Sequence, residues 1–296
     1  MHGRWMRRWV PLALLLGALL EIGPAQNATP LERRYEIVFS VPSKGDPAFG
    51  FPAGLNVAVE SVQVTYDKTR QPLQRVETEP KQGEYAVRAT RVVFSNGDRK
   101  AKLRIAFMAT PKRAIVMPAI SETPLPYLAE AAQEYLSREL TARGYELISW
   151  EEARPHFMER KLTSDWLLAS AEAGGSIELA EVARRLGADL VALAAVGSWT
   201  RQETNWVPVV RERRDRKDKG ERTTEVVIEP MTDTRVFTGC RLVVYDGTTG
   251  RVMIKRELKD DTTRLIGGYR ATRKSLLQKL IATALRETLG AETLAP

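Results

Sequence analysis

From Tyr35 to Met108 apolar and polar residues alternate in short runs broken by Gly, Pro and Asn. Alternation at every second position marks a strand with one face buried. Glu36 to Val41, Leu55 to Val59, Val62 to Tyr66, Tyr85 to Phe94 and Lys102 to Phe107 are the strands this predicts. The last two flank Ser95-Asn96-Gly97-Asp98. Asn-Gly between alternating runs predicts a tight hairpin, because a type I′ turn needs positive φ at both central residues. Residues 31–110 thus read as a small antiparallel β domain.

The period changes at Pro111. Arg113 to Val116 is a short apolar strand, and from Pro126 apolar residues recur at helical spacing, with Leu128, Ala131, Ala132, Tyr135, Leu136 and Leu140 on one face. Gly144 follows where a left-handed cap belongs. Tyr145 to Ile148 is a strand; Ser149 and Glu152 have the spacing of a capping box. Pro155 is expected to interrupt the helix they open, or to confine it to about its first turn. Helices follow from Ser164 to Ala173 and after Ser176, the latter closing at Gly187. Leu190 to Val196 reads as a strand covered on both faces. After Trp199 the rhythm breaks: Arg211 to Arg222 holds seven basic and four acidic residues, a solvated loop or hairpin tip. Strands resume over Thr223 to Ile228, Val236 to Tyr245 and Arg251 to Lys255, and a helix spans Arg270 to Leu289. The order β-α-β-α-α-α-β-β-β-α over residues 111–289 predicts an α/β sandwich, helices packed on a mixed sheet. The whole is an α+β chain with a charged excursion at 199–237.

Residues 1–25 carry Arg4, Arg7 and Arg8, an apolar run from Trp9 to Leu20, then Glu21-Ile22-Gly23-Pro24-Ala25. That order is expected of a cleaved secretory signal. The run stops short of the roughly 20 apolar residues that cross a bilayer. With no Cys near the cleavage site to take a lipid, the expected product is soluble, in the periplasm or outside the cell, and meets a membrane only transiently through its leader. Cys240 is the only cysteine, so no internal disulfide can form.

Several segments of 113–289 resemble a known group. Arg113 to Pro118 is similar to the opening strand of bacterial envelope domains of the TolB amino-terminal, CsgG and LpoB type. Arg143-Gly144-Tyr145-Glu146-Leu147-Ile148 resembles their second strand in length and placement. Ala183 to Val191 with Val196-Gly197-Ser198 is similar to their helix, Gly-Ala-Asp and buried strand, and Cys240 to Val252 to their hairpin with Asp before a Thr-Gly turn. The resemblance implies a docking fold for envelope assemblies, with no catalytic residue to carry over. Curli secretion proteins of this type place a membrane-crossing hairpin where this chain has Trp199 to Phe237, and the charged run there argues against a pore.

Candidate chemistry is thin. His156 is the only His after the leader, too few for a zinc site, so no metal and no cofactor is expected. Cys240 has no His near it in sequence to activate it and reads as a core residue. Asp246 with Asp260-Asp261 could group around a cation but lacks the alternation of a calcium loop. Gly174-Gly175-Ser176 opens a helix whose amides could hold an anion, or is a plain turn. Asp246 to Gly250 lacks the Lys and helix of a phosphate loop. The overall charge of +8 falls to +6 without the leader's three Arg and one Glu, an excess that could favour acidic polymers or anionic membrane surfaces, or serve solubility alone. Interleaved acids and the lack of aromatics in 211–222 argue against nucleic acid.

The expectation is an exported, non-enzymatic protein that docks to a protein partner in envelope assembly or maintenance. Its contact element is the 199–237 excursion, with Trp199, Trp206, Arg211, Arg213, Arg214, Arg216 and Lys217 as contact residues. The alternatives are a secretion-pore subunit, and an enzyme on an envelope polymer that uses carboxylates such as Glu203 or Asp246.

Overall fold

The computed structural model describes residues 32–41, 48–66, 69–88, 91–95, 100–214, 222–265 and 267–290. The leader and the Asn96-Gly97 turn lie outside the described residues.

Eight strands come first: β1 (Arg33–Val41), β2 (Ala48–Gly50), β3 (Leu55–Tyr66), β4 (Thr69–Pro72), β5 (Gln74–Arg75), β6 (Glu84–Arg88), β7 (Arg91–Phe94) and β8 (Ala101–Pro111). They form two four-stranded sheets, β1-β8-β3-β4 and β2-β7-β6-β5. Ile37, Val62, Val64, Tyr85, Val92, Phe94, Leu103, Ile105 and Phe107 fill a core of their own. Two expectations are corrected here. Leu55 to Val59 and Val62 to Tyr66 are one strand whose register shifts between Val59 and Ser61, so a bulge keeps inward residues inward on both sides of it. Tyr85 to Phe94 is two strands, and its second half pairs with β2 and β6 instead of forming an Asn-Gly hairpin with the next strand. That next strand, β8, takes the longer ladders offered by β1 and β3. A turn signal is local, and tertiary pairing overrides it.

Lys112 alone separates β8 from β9 (Arg113–Val116). Then come β10 (Ile120–Ser121), α1 (Pro126–Ala142), β11 (Glu146–Ile148), α2 (Trp150–Glu159), α3 (Ser164–Ser170), α4 (Ile177–Leu186), β12 (Leu190–Arg214), β13 (Arg222–Asp246), β14 (Val252–Thr262) and α5 (Tyr269–Leu289). The sheet runs β11-β9-β12-β13-β14, with β10 beside β12. Its pairs are parallel among β9, β11 and β12 and antiparallel among β12, β13 and β14. Helices α1 and α5 cover one face through Leu128, Leu136, Leu140, Leu277, Ile281 and Leu285. Helices α2, α3 and α4 cover the other through Phe157, Leu167, Leu179 and Val182. This is the expected α/β sandwich on a mixed sheet.

Pro155 sits inside α2, which continues to Glu159. The expected break is corrected: Pro155 is on the exposed side, where water can take the carbonyl it leaves without a donor. Ser149 accepts from the Glu152 amide as an N-cap.

The two parts meet at the loop before β3. The Gly54 amide donates to Arg143 O (2.9 Å), the Lys112 amide to Gly54 O (2.7 Å), and Lys112 Nζ to Ala53 O (3.1 Å). A Cβ on Gly54 would stand 2.4 Å from the Tyr145 nitrogen, closer than carbon can approach.

Candidate functional site

Strands β12 and β13 pair in one unbroken register from Leu190 opposite Asp246 to Arg214 opposite Arg222. Their other neighbours stop early. β9 and β10 leave β12 at Val196, and β14 leaves β13 at Val236. Beyond that level the two strands have only each other, so a ribbon about 45 Å long at about 3.3 Å per residue stands out of the sheet. Its root is tied by Trp199 stacked on Phe237 (5.5 Å between centroids, 4° between planes). Ser198 donates its hydroxyl to Phe237 O, with the Thr238 hydroxyl 3.2 Å away.

Residues opposite each other in a ladder share a face. One face therefore holds the odd-numbered residues of the ribbon, and it is laced with charge. Arg201 pairs with Glu203 (3.2 Å), Arg211 with Glu229, and Arg235 with Asp261 at the end of β14 (3.2 Å). Val207, Val209 and Val227 on this face are only half exposed. The other face holds the even-numbered residues, and from 200 to 210 and 226 to 236 none of them is charged. Trp206, Val210, Val226 and Ile228 stand 69%, 62%, 62% and 66% exposed there, with Pro208 and Pro230 between them.

The prolines have a legible orientation. The Met117 and Glu122 amides bond to Ala192 O and Val196 O, so even residues of β12 turn their backbone polar groups away from β13. With no break in register, Pro208 does the same, and Pro230 opposite Trp206 turns outward on β13. Each proline thus keeps the internal ladder intact and removes one donor from an outer edge, which blunts that edge against strand addition.

The described members of the expected contact set, Trp199, Trp206, Arg211, Arg213 and Arg214, fall on this ribbon without converging. Trp199 is on the charged face at the root, half covered by Phe237, whereas Trp206 is on the uncharged face about 23 Å further out. Arg211 is engaged by Glu229. Arg213 and Arg214 are placed by backbone register only, opposite Thr223 and Arg222, and Arg216 and Lys217 lie outside the described residues. Arg211 to Arg214 and Arg222, the described part of the charged run, lie at the outer end of the ribbon. Sequence reading missed Val226, Ile228 and Pro230, although apolar Trp206 to Val210 and Val226 to Ile228 mirror each other across the charged run.

The other candidate groups disperse. Glu203 lies opposite Asp233 on the ribbon and Asp246 opposite Leu190 at the far end of β13, about 40 Å apart. They cannot flank one bond as acid and base. Asp260 binds Lys279 (2.5 Å) and Asp261 binds Arg235, about 26 and about 30 Å from Asp246 along the strands. Among the described residues no group of His, Cys, Asp and Glu could hold a metal. Cys240 is buried, and burial pushes its thiol up to about 12, with Glu122 adding to the rise.

The Gly-Gly-Ser and Thr-Gly segments lock onto each other. The Ser176 amide donates to Gly250 O and the Val252 amide to Gly174 O, so the amides proposed for an anion are partly spent on this contact. A Cβ on Gly250 would lie 1.9 Å from Ser176 O. Asp189 serves the same junction: its carboxylate accepts from the Arg113 amide (2.8 Å) and its carbonyl from the Gly247 amide (2.8 Å). Asp246 accepts from the Thr248 hydroxyl and the Thr248 and Thr249 amides. Burial works against its charge, yet these bonds hold its carboxyl below the ordinary range.

No protein-family model matches the sequence, and no curated protein aligns with it as a relative. Among solved structures, lipoprotein GNA1162 from Neisseria meningitidis is 14% identical at a TM-score of 0.33, over 60% of this chain and 97% of that one. The PelC dodecamer from Paraburkholderia phytofirmans is 16% identical at 0.32, over 61% and 89%. The hypothetical protein CT253 from Chlamydia trachomatis is 14% identical at 0.29, over 60% and 91%. Likeness at this level assigns neither a family nor an activity. Among the described residues no helix is long and apolar enough to cross a membrane.

Proposed function

We propose that the protein is a non-enzymatic docking module, exported to the bacterial envelope, that engages a protein partner through the β12–β13 ribbon. The observation that carries this reading is the exposed apolar band of the ribbon, Trp206 to Val210 opposite Val226 to Pro230. A two-stranded ribbon in water has no core of its own. Large apolar side chains held far from the body are an interaction surface by default. Export rests on the basic and apolar order of residues 1–25, and the envelope on the resemblance of 113–289 to TolB-type docking domains.

The pore-subunit reading draws on the same ribbon, because the even-numbered face of its shaft is uncharged from 200 to 210 and 226 to 236. The apolar band of the shaft is only about 17 Å long at about 3.3 Å per residue. A lipid-facing barrel band is about 25 Å tall and requires edge-to-edge closure, which Pro208 and Pro230 oppose. Docking to protein is therefore the better fit.

The test is capture of partners from envelope extracts by the intact protein and by a form whose residues 200–236 are replaced by a short turn. The expected outcome is loss of the specific partner with the shortened form. Equal recovery of the same partners by both forms would remove the ribbon from the contact.

A further inference from the structure

We infer that the uncharged face of the ribbon is the seat of a second copy of this chain, two ribbons packing face to face across a two-fold axis. The inference rests on the reading of the ribbon as a contact element and adds who occupies one of its faces.

Three observations narrow the occupant. The first is the unequal cover of the two faces. On the odd-numbered face Val207, Val209 and Val227 are partly covered beside the pairs Arg211–Glu229 and Arg201–Glu203, and Trp199 and Met231 stand 47% and 53% exposed. On the even-numbered face Trp206, Val210, Val226 and Ile228 have no such cover, each more than 60% exposed.

The second is charge. A two-fold contact sets a patch against itself, so any charge near the axis meets its own kind. The odd-numbered face carries Arg201, Glu203, Arg211, Glu229, Asp233 and Arg235, and the even-numbered face carries none from 200 to 210 and 226 to 236. Only the latter can meet its own copy without burying or opposing charges.

The third is the pair of prolines. A partner that adds a strand, or a ring of copies joined edge to edge, needs outward donors along β12 or β13. Pro208 and Pro230 remove one on each edge at the level of the apolar band. Face packing, with sheets about 10 Å apart, needs no edge donor.

The outer end sets the orientation. Residues 211–214 and 222, at the outer end of the described ribbon, are four Arg and one Glu, so ribbons side by side in the same direction would bring two positive ends together. Opposite directions part the ends. The face is about 36 Å long and about 10 Å wide, which buries on the order of 700 Å² in all. That is below a standard interface, so the pair is expected to be weak and reversible. Because the pair is weak, an envelope partner competes with the second copy for this face, and the charged face stays open in either state.

Sedimentation velocity over a concentration series of the purified protein tests the pair. The expected result is a monomer that shifts to dimer as concentration rises into the range of tens of micromolar, roughly what a small interface supports. Trp206→Glu with Ile228→Lys should raise the dissociation constant at least about tenfold, while the circular dichroism spectrum stays unchanged because both side chains are exposed. A second measurement reports the face. Thr204→Cys should cross-link copies on mild oxidation, and Asn205→Cys on the opposite face should not. The native Cys240 is buried and does not compete.

A wild-type protein that is monomeric at about 200 µM overturns the inference, as does equal cross-linking at 204 and 205, or an oligomer that the double variant leaves intact. These outcomes are separable from the docking reading. A monomer that still loses its envelope partner when 200–236 is removed leaves that reading in place and removes only the second copy.

Discussion

At the residue scale, short motifs act as mutual locks. Gly250 is a glycine because its φ is +69° and because a Cβ there would fall on Ser176 O at 1.9 Å. Gly250→Ala is expected to destabilise the fold by about 2–4 kcal/mol, a melting-temperature drop of about 5–15 °C in a domain of this size. Asp246 gives a pH-dependent counterpart. Its folded carboxyl titrates below the ordinary range, so its contribution is present above the unfolded pKa and is lost as pH falls through the folded one. Asp246→Ala should therefore lower the melting temperature at pH 7 by a few degrees, for about 1–2 kcal/mol. The difference from wild type should narrow as the pH falls below the ordinary carboxylate range and close once the folded carboxyl is protonated. A deficit that stays constant over this range would assign the loss to packing alone. The thiol of Cys240, up at about 12 through burial, should resist alkylation at pH 8 until the protein unfolds.

At the element scale, the ribbon divides what a sequence shows from what it hides. Leu190 to Val196 was readable as a strand because burial on both faces leaves a continuous apolar run, and Val236 to Tyr245 with the Asp246 turn as a strand and hairpin. The ribbon itself was not. Arg201, Glu203 and Arg235 look like loop chemistry when read along the chain, and only the cross-strand register puts them all on one face. β7 and β8 stand in different sheets for the converse reason: a strong local signal carries no information on which strand β8 prefers. Pro155 was misread because a proline cost depends on whether water reaches the freed carbonyl. The prolines of the ribbon offer a direct test of edge blunting. Pro208→Val with Pro230→Val restores outward donors beside apolar side chains, and should raise the rate of β-rich aggregation seen by thioflavin fluorescence at least several-fold. No change in rate would mean that twist or charge, and not proline, protects the edges.

At the scale of the whole molecule, the two amino-terminal sheets are docked as well as linked to the elements that follow. Three hydrogen bonds join the Ala53-Gly54 loop to Arg143 and Lys112, and the Cβ of Gly54→Ala would meet the Gly144–Tyr145 backbone. That variant should split one calorimetric unfolding transition into two and speed proteolysis near Lys112, with each part still folded. A single transition lowered by less than about 1 °C would show that the junction carries little weight. The order of elements over 111–289 was legible because each helix and buried strand follows its own period. The docking of the two parts was not, because it depends on one glycine in a loop.

The lone residue between β8 and β9 also makes the molecule a mechanical relay. β8 is central in its sheet, between β1 and β3, and β9 lies against β12, the strand that carries the ribbon. Tension applied at the tip runs along β12, crosses its ladder to β9 as shear, and passes through Lys112 into β8 with no slack linker to absorb it. A partner pulling on the ribbon would thus be felt in the amino-terminal sheet.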